Sequence, residues 1–135
     1  MKSAIVIGGS GFIGSHVADK LSEKGFNVTI FDCFETKWKL KEQKFILGNI
    51  LDKKALENAI KGNQIVYNFA AIADLNKLTK NPIDSINVNI LGNVNVLEAC
   101  RKFNVERFVF ASSIYVYSRE GGFYRCSKQA SEIYI

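Results

Sequence analysis

Short β-branched and aromatic runs alternate along the chain with stretches whose apolar residues recur every three or four positions. Residues 4–7 form the first run, and its unbroken apolar character predicts a strand buried on both faces. Ile13, Val17 and Leu21 then recur at helical spacing, with Gly25 as the stop. A second strand is expected over 27–31, ending on Asp32, and a third over 44–47. Asp52 is placed to cap a helix over 53–61 that turns Leu56 and Ile60 inward and ends at Gly62. A fourth strand over 64–69 closes in the small pair Ala70-Ala71. The pattern then predicts one long helix over 82–103, with Pro82 in its first turn. Asn87, Asn89, Asn93 and Asn95 crowd that helix. Asparagine is a poor helix former, so bonds to neighbouring segments are expected to hold some of them. A fifth strand over 105–111 delivers Ser112 and Ser113 to its carboxyl end, and a last helix starts near Tyr124 and runs on through Ile135.

Strands alternating with helices at these intervals predict an α/β fold. The expected form is a Rossmann-type doubly wound parallel sheet of about five strands in the order 3-2-1-4-5, as one domain over 1–135. Right-handed crossovers then gather Gly8–Gly14, Asp32, Ala70 and Ser113 along one edge, at the carboxyl ends of the strands.

That placement gives the first glycines a chemical meaning. Gly9, Gly11 and Gly14 spell G-x-G-x-x-G, and Gly8, Gly11 and Gly14 spell G-x-x-G-x-x-G. In either register a strand leads into a glycine turn and a helix, the context required for binding a dinucleotide pyrophosphate. Glycine permits the turn and the close approach of backbone to phosphate, while the helix that begins near Gly11 offers free N–H groups. Asp32 follows Gly14 by eighteen residues, near the separation expected for the acid that binds the adenosine ribose. A carboxylate there favours NAD over NADP, with Lys37 and Lys39 nearby as the opposing influence.

Composition narrows the alternatives. Hydrophobic content of 47% with 23% charged residues describes a globular chain and not a disordered one. No apolar stretch reaches membrane-spanning length, and the start lacks the layout of a signal peptide. Cys33, Cys100 and Cys126 show no metal-binding spacing and read as free thiols in a reducing cytoplasm. No metal site is expected. The net charge of +5 is densest over 37–44, where one tryptophan interrupts the lysines. A solvated loop is the preferred reading, and nucleic-acid binding is not expected.

Tyr124 and Lys128 lie four residues apart on one helical face, where an ammonium would stabilise a phenolate and lower its pKa. Six stretches now stand in order: Gly8 to His16, Gly48 to Asp52, Phe69-Ala70-Ala71, Asn89 to Asn93, Ala111 to Tyr117, and Tyr124 to Lys128. Together they resemble the N-terminal part of extended short-chain dehydrogenase/reductases, the NAD-dependent nucleotide-sugar epimerase/dehydratase family. The resemblance implies roles by position. Tyr124 would be the catalytic base, Lys128 would hold the nicotinamide ribose and, with the positive charge of the nicotinamide ring, depress the tyrosine pKa, and Ser113 would assist proton transfer. Gly8, Gly11, Phe12, Ile13, Gly14, Asp32, Asn49, Ile50, Ala70, Ala71 and Asn89 would join Tyr124 and Lys128 around the cofactor. Asn49 would accept a bond from the adenine amino group, and Asn89 would support the active-site side of the sheet.

The implied chemistry is NAD-dependent hydride transfer on a UDP- or dTDP-sugar, most like a UDP-sugar 4-epimerase, in the cytoplasm and with a homodimer as one option. Ile114 and Tyr115 stand where a dehydratase would carry acids, which tilts the expectation towards an epimerase or reductase. Two departures favour a rival, a non-catalytic NAD-binding sensor or scaffold. Only residues 118–123 separate Tyr117 from Tyr124, a shorter loop than the family's, and no C-terminal substrate domain is present.

Overall fold

The computed structural model describes residues 2–135, and Met1, the first residue of the domain expected over 1–135, lies outside the described residues. β1 (Ser3–Ile7) lies at the middle of a wholly parallel sheet, paired on one side with β2 (Asn27–Asp32) and on the other with β4 (Ile65–Asn68). β3 (Lys44–Leu47) adds outside β2 and β5 (Arg107–Phe110) outside β4, giving the expected order β3-β2-β1-β4-β5. Side chains of a strand alternate between faces, so β1 feeds two cores. Ile5 and Ile7 pack with Phe31, Leu56, Ile60, Val66 and Val96. Ala4 and Val6 pack with Val28, Ile30, Ala18 and Leu21.

Helix α1 (Phe12–Glu23) covers the second of these cores, with Leu21 and Val17 of the expected stripe facing it and Ile13 turned outward. Gly14, Ala18 and Leu21 are buried, while Ile13 is 59% exposed. The helix period is as expected. Its phase is set by Gly14, the residue small enough to let the helix start meet the strand. Helix α2 (Lys53–Ile60) begins as expected, with the Asp52 carboxylate accepting a 3.0 Å bond from the Ala55 N–H.

The segment after β4 departs from the sequence expectation. A short helix α3 (Leu75–Lys80) follows the strand, capped by Asp74 and anchored by the buried Leu78. Six residues are too few for an apolar period to show. The expected helix over 82–103 is three pieces: α4 (Pro82–Asp84), a π-helical segment Ser85–Leu91, and α5 (Gly92–Lys102). After β5 a 3-10 turn (Ile114–Tyr117) leads to α6 (Gly122–Tyr134), which begins two residues before Tyr124 and stops before Ile135. Among the described residues no helix is long and apolar enough to cross a membrane.

Candidate functional site

The glycine turn closes the carboxyl end of β1 against that of β4. Gly8 has a φ of +76°, and a Cβ there would stand 2.5 Å from the Ala70 nitrogen. A Cβ on Gly14 would lie 2.3 Å from the Gly8 carbonyl oxygen, closer than packed atoms approach. Gly11 is the N-cap of α1 and provides no side-chain bond, so the N–H groups of the first turn lack that partner. Such a helix start suits an anion, because its free donors and dipole point the same way.

A groove of about 350 Å³ opens beside this turn. Gly8, Gly11, Asp32, Asn49, Ile50, Ala70 and Ala71 all line it, so seven of the residues expected at the cofactor meet in one place. Asp32 is nearly buried, accepts a 2.9 Å bond from the Ser10 N–H and a longer one from the Phe34 N–H, and faces the groove. The Asn49 side-chain oxygen accepts from the Leu51 N–H at 2.9 Å, which leaves that oxygen one further lone pair. Phe12 and Ile13 differ from the rest. Their exposed side chains line a separate hollow with His16, Val17 and Tyr67. A cradle that a Cβ would fill, an uncapped helix start and a carboxylate hydrogen-bonded to the glycine turn together fit a dinucleotide such as NAD.

The second group gathers beyond β5. Tyr124 and Lys128 share one face of α6, and Ser113 opens the 3-10 turn by accepting a 3.3 Å bond from the Tyr115 N–H. Lys128 is 3% exposed, donates a 2.7 Å bond to the Ala111 carbonyl and lies 4.6 Å from the centre of the Phe110 ring. Its burial draws its pKa down to about 8. The ammonium also lies 5.7 Å from the centre of the Tyr124 ring.

Within the protein alone the phenol is shifted the other way. Burial pushes the Tyr124 phenol above its ordinary value, the Ser113 hydroxyl pulls it back, and Tyr115 pushes it up again. The ammonium of Lys128 is engaged with Ala111 and stands against the ring, so desolvation of the phenol outweighs any cation effect. Tyr115 supports Tyr124 from the side, with the two rings at 87° and 6.3 Å apart.

Asn89 joins the groove to this cluster. Its carbonyl accepts from the Ile72 N–H at 2.8 Å, and its amide donates to the Ile72 carbonyl and to the Ser127 hydroxyl, each at 3.0 Å. Ser127 donates onward to the carbonyl of Tyr124 at 2.7 Å. Two further asparagines of the same stretch are tied down: Asn93 accepts from Asn68, and Asn95 donates to the Ile50 carbonyl. Asn89, Asn93 and Asn95 are thus held by partners outside the helix, and Asn89 lies within the π-helical segment. Ile72, Lys77 and Val88 also line the groove and went unrecognised in the sequence. None belongs to a motif, although the helical asparagines were a signal for Ile72. Among the described residues no group of His, Cys, Asp and Glu side chains converges as metal ligands would.

Comparison with known proteins agrees with this geometry. The profile of the NAD-dependent epimerase/dehydratase family matches residues 4–133. A UDP-glucose 4-epimerase of Schizosaccharomyces pombe is 34% identical, over 89% of this chain and 38% of its own length. Among solved structures, an epimerase from Methanothermobacter thermautotrophicus superposes with a TM-score of 0.91 at 29% identity, over 98% of this chain and 46% of that one. The UDP-glucose 4-epimerase of Thermus thermophilus in complex with NAD superposes with a TM-score of 0.86 at 32% identity, over 99% of this chain and 49% of that one. This chain therefore spans between about two fifths and half of the length of these three relatives. The match over almost every residue shows that the chain belongs to the NAD-dependent epimerase/dehydratase family, whose cofactor is NAD.

Proposed function

We propose that this chain carries the cofactor site and the proton-transfer residues of an NAD-dependent enzyme acting on a nucleotide sugar, in the manner of a UDP-sugar 4-epimerase. The observation that carries the reading is the meeting of Ser113, Tyr124 and Lys128 at the end of β5, tied through Ser127, Asn89 and Ile72 to the glycine-lined groove. Gly8, Gly11, Asp32, Asn49 and Ala70 would hold NAD, which when bound accepts and returns a hydride. Tyr124 would take the proton from the sugar hydroxyl as its carbon is oxidised and return it on reduction. Ser113 would donate a hydrogen bond to the reacting oxygen and keep the phenol aligned. Lys128 would present its ammonium beside the phenol and to the nicotinamide ribose. Its lowered pKa follows from burial and makes the proton easier to share near neutral pH.

The test is Tyr124→Phe in the natural protein, assayed with UDP-sugars while NAD binding is followed by calorimetry. General acid–base catalysis contributes about 100-fold or more, so turnover should fall by at least that much while NAD affinity stays level. If the unsubstituted protein binds NAD yet turns over no nucleotide sugar, the sensor or scaffold reading replaces the enzyme.

A further inference from the structure

Residues 118–123, which join the 3-10 turn to α6, are tied back onto both elements. The Ser118 N–H donates to the Tyr115 carbonyl at 3.0 Å, and the Ser118 hydroxyl accepts from the Glu120 N–H at 3.1 Å. From α6, the Arg125 guanidinium donates a 3.0 Å bond to the Ser118 carbonyl, and the Gln129 amide donates a 2.9 Å bond to the Val116 carbonyl. The connection is therefore fixed at its start, and the residue it is fixed around is Tyr115.

The Tyr115 ring packs against Gly121 and meets the Tyr124 ring edge to face. A Cβ on Gly121 would stand 2.7 Å from Cγ of the Tyr115 ring, and the φ of Gly121 is +92°, so both space and backbone call for glycine there. On Tyr124 the two rings lie at 87° with their centres 6.3 Å apart, within the favourable range for such pairs. The backbone of the same residue reaches the other partner, because the Tyr115 N–H donates a 3.3 Å bond to the Ser113 hydroxyl. One residue thus touches both members of a pair whose alignment sets the rate of proton transfer.

We propose that Tyr115 is a positioning residue for proton transfer, bracing Tyr124 with its ring and Ser113 with its N–H, on a seat that Gly121 leaves open. The proposal rests on the reading of Ser113 and Tyr124 as the proton-transfer pair. Tyr115 acts through those two residues, so the reacting step depends on it and the binding of NAD does not. An edge-to-face contact needs the ring and not the hydroxyl, so phenylalanine can serve in its place.

The experiment compares Tyr115→Leu, Tyr115→Phe and Gly121→Ala in the natural protein. It follows turnover of UDP-glucose, NAD titration by calorimetry and the Tyr124 ring resonances by NMR. Without the brace, Tyr115→Leu should lower kcat by about tenfold, with KM and the Kd for NAD within about twofold of the parent. Tyr115→Phe should restore kcat to within about threefold. Gly121→Ala should also lower kcat, and adding it to Tyr115→Leu should cost little more, since both act through one contact. The Tyr124 resonances should move in Tyr115→Leu, where the shielding of the neighbouring ring is gone, and stay in Tyr115→Phe. Unchanged kcat in Tyr115→Leu overturns the proposal, as does an equal loss in Tyr115→Phe. A loss of NAD affinity that matches the loss of kcat overturns it too, because it marks a merely structural role. An unsubstituted protein that turns over no UDP-glucose is a different result. The proposed function then fails for that sugar, and the resonances decide the brace alone: unmoved in Tyr115→Leu, they overturn it.

Discussion

Asp32 accepts a 2.9 Å hydrogen bond from the backbone N–H of Ser10, so the acid at the end of β2 is tied directly to the glycine turn after β1. The two cofactor-facing features that the sequence separates by twenty-two residues are thereby one structural unit. The carboxylate keeps unbonded lone pairs towards the groove, where ribose hydroxyls would donate to it and a 2′-phosphate would be repelled.

Replacing Asp32 by Ala therefore should weaken NAD by about tenfold, the value of charge-assisted bonds to one diol. NADP should weaken much less, because the repulsive charge goes with the acceptor. Calorimetric titration with each nucleotide reads the ratio. A parallel loss for both nucleotides would mean that Asp32 serves the turn and not the ribose.

Gly11 and Gly14 separate approach to a ligand from packing of the fold. A Cβ on Gly14 would stand 2.3 Å from the Gly8 oxygen, whereas one on Gly11 would stand 3.3 Å from the same atom. Gly14→Ala should cost about 3 kcal/mol of stability, as overpacking against backbone does. Gly11→Ala should cost under about 1 kcal/mol, since it changes only an N-cap, while its methyl narrows the groove and reduces NAD affinity. Thermal unfolding and NAD titration of the two variants should rank them in opposite orders.

Lys128 gives the fold a pH dependence whose sign follows from its depressed pKa. Below pH 8 the ammonium is charged both folded and unfolded, and the fold bears the whole cost of burying it. Between about 8 and 10.5 the folded chain releases the proton while the unfolded chain keeps it, so stability rises with pH across that window. Relative to Lys128→Met, which cannot titrate, the parent should gain about 3 kcal/mol over this range. Denaturant unfolding of both chains at pH 7 and pH 10 measures it. A constant difference between them would show that the amine is not desolvated in solution.

Much of this protein follows from local pattern alone. The central strands announce themselves because they are buried on both faces, and the run from Ala4 to Ile7 has no polar residue to tolerate exposure. The glycine spacing, the cap at Asp52 and the pairing of Tyr124 with Lys128 are likewise local, set by turn sterics and helix period. Sheet order followed from those elements through the handedness of crossovers.

What tertiary structure alone decided are the relations between segments distant in sequence. The start of α1 depended on Gly14 meeting Gly8, which put Gly14 and not Ile13 at the buried end of the stripe that holds Ala18 and Leu21. The π-helical register over Ser85–Leu91 depended on Ile72 and Ser127 offering partners to Asn89, and no period within residues 82–103 contains them. The upward shift of Tyr124 depended on desolvation by burial, which outweighs the pull of the Ser113 hydroxyl, with Tyr115 adding to the rise. Propensity and periodicity are sums over neighbours along the chain. Desolvation, close approach and long-range hydrogen bonds are properties of neighbours in space, and only the folded chain supplies those.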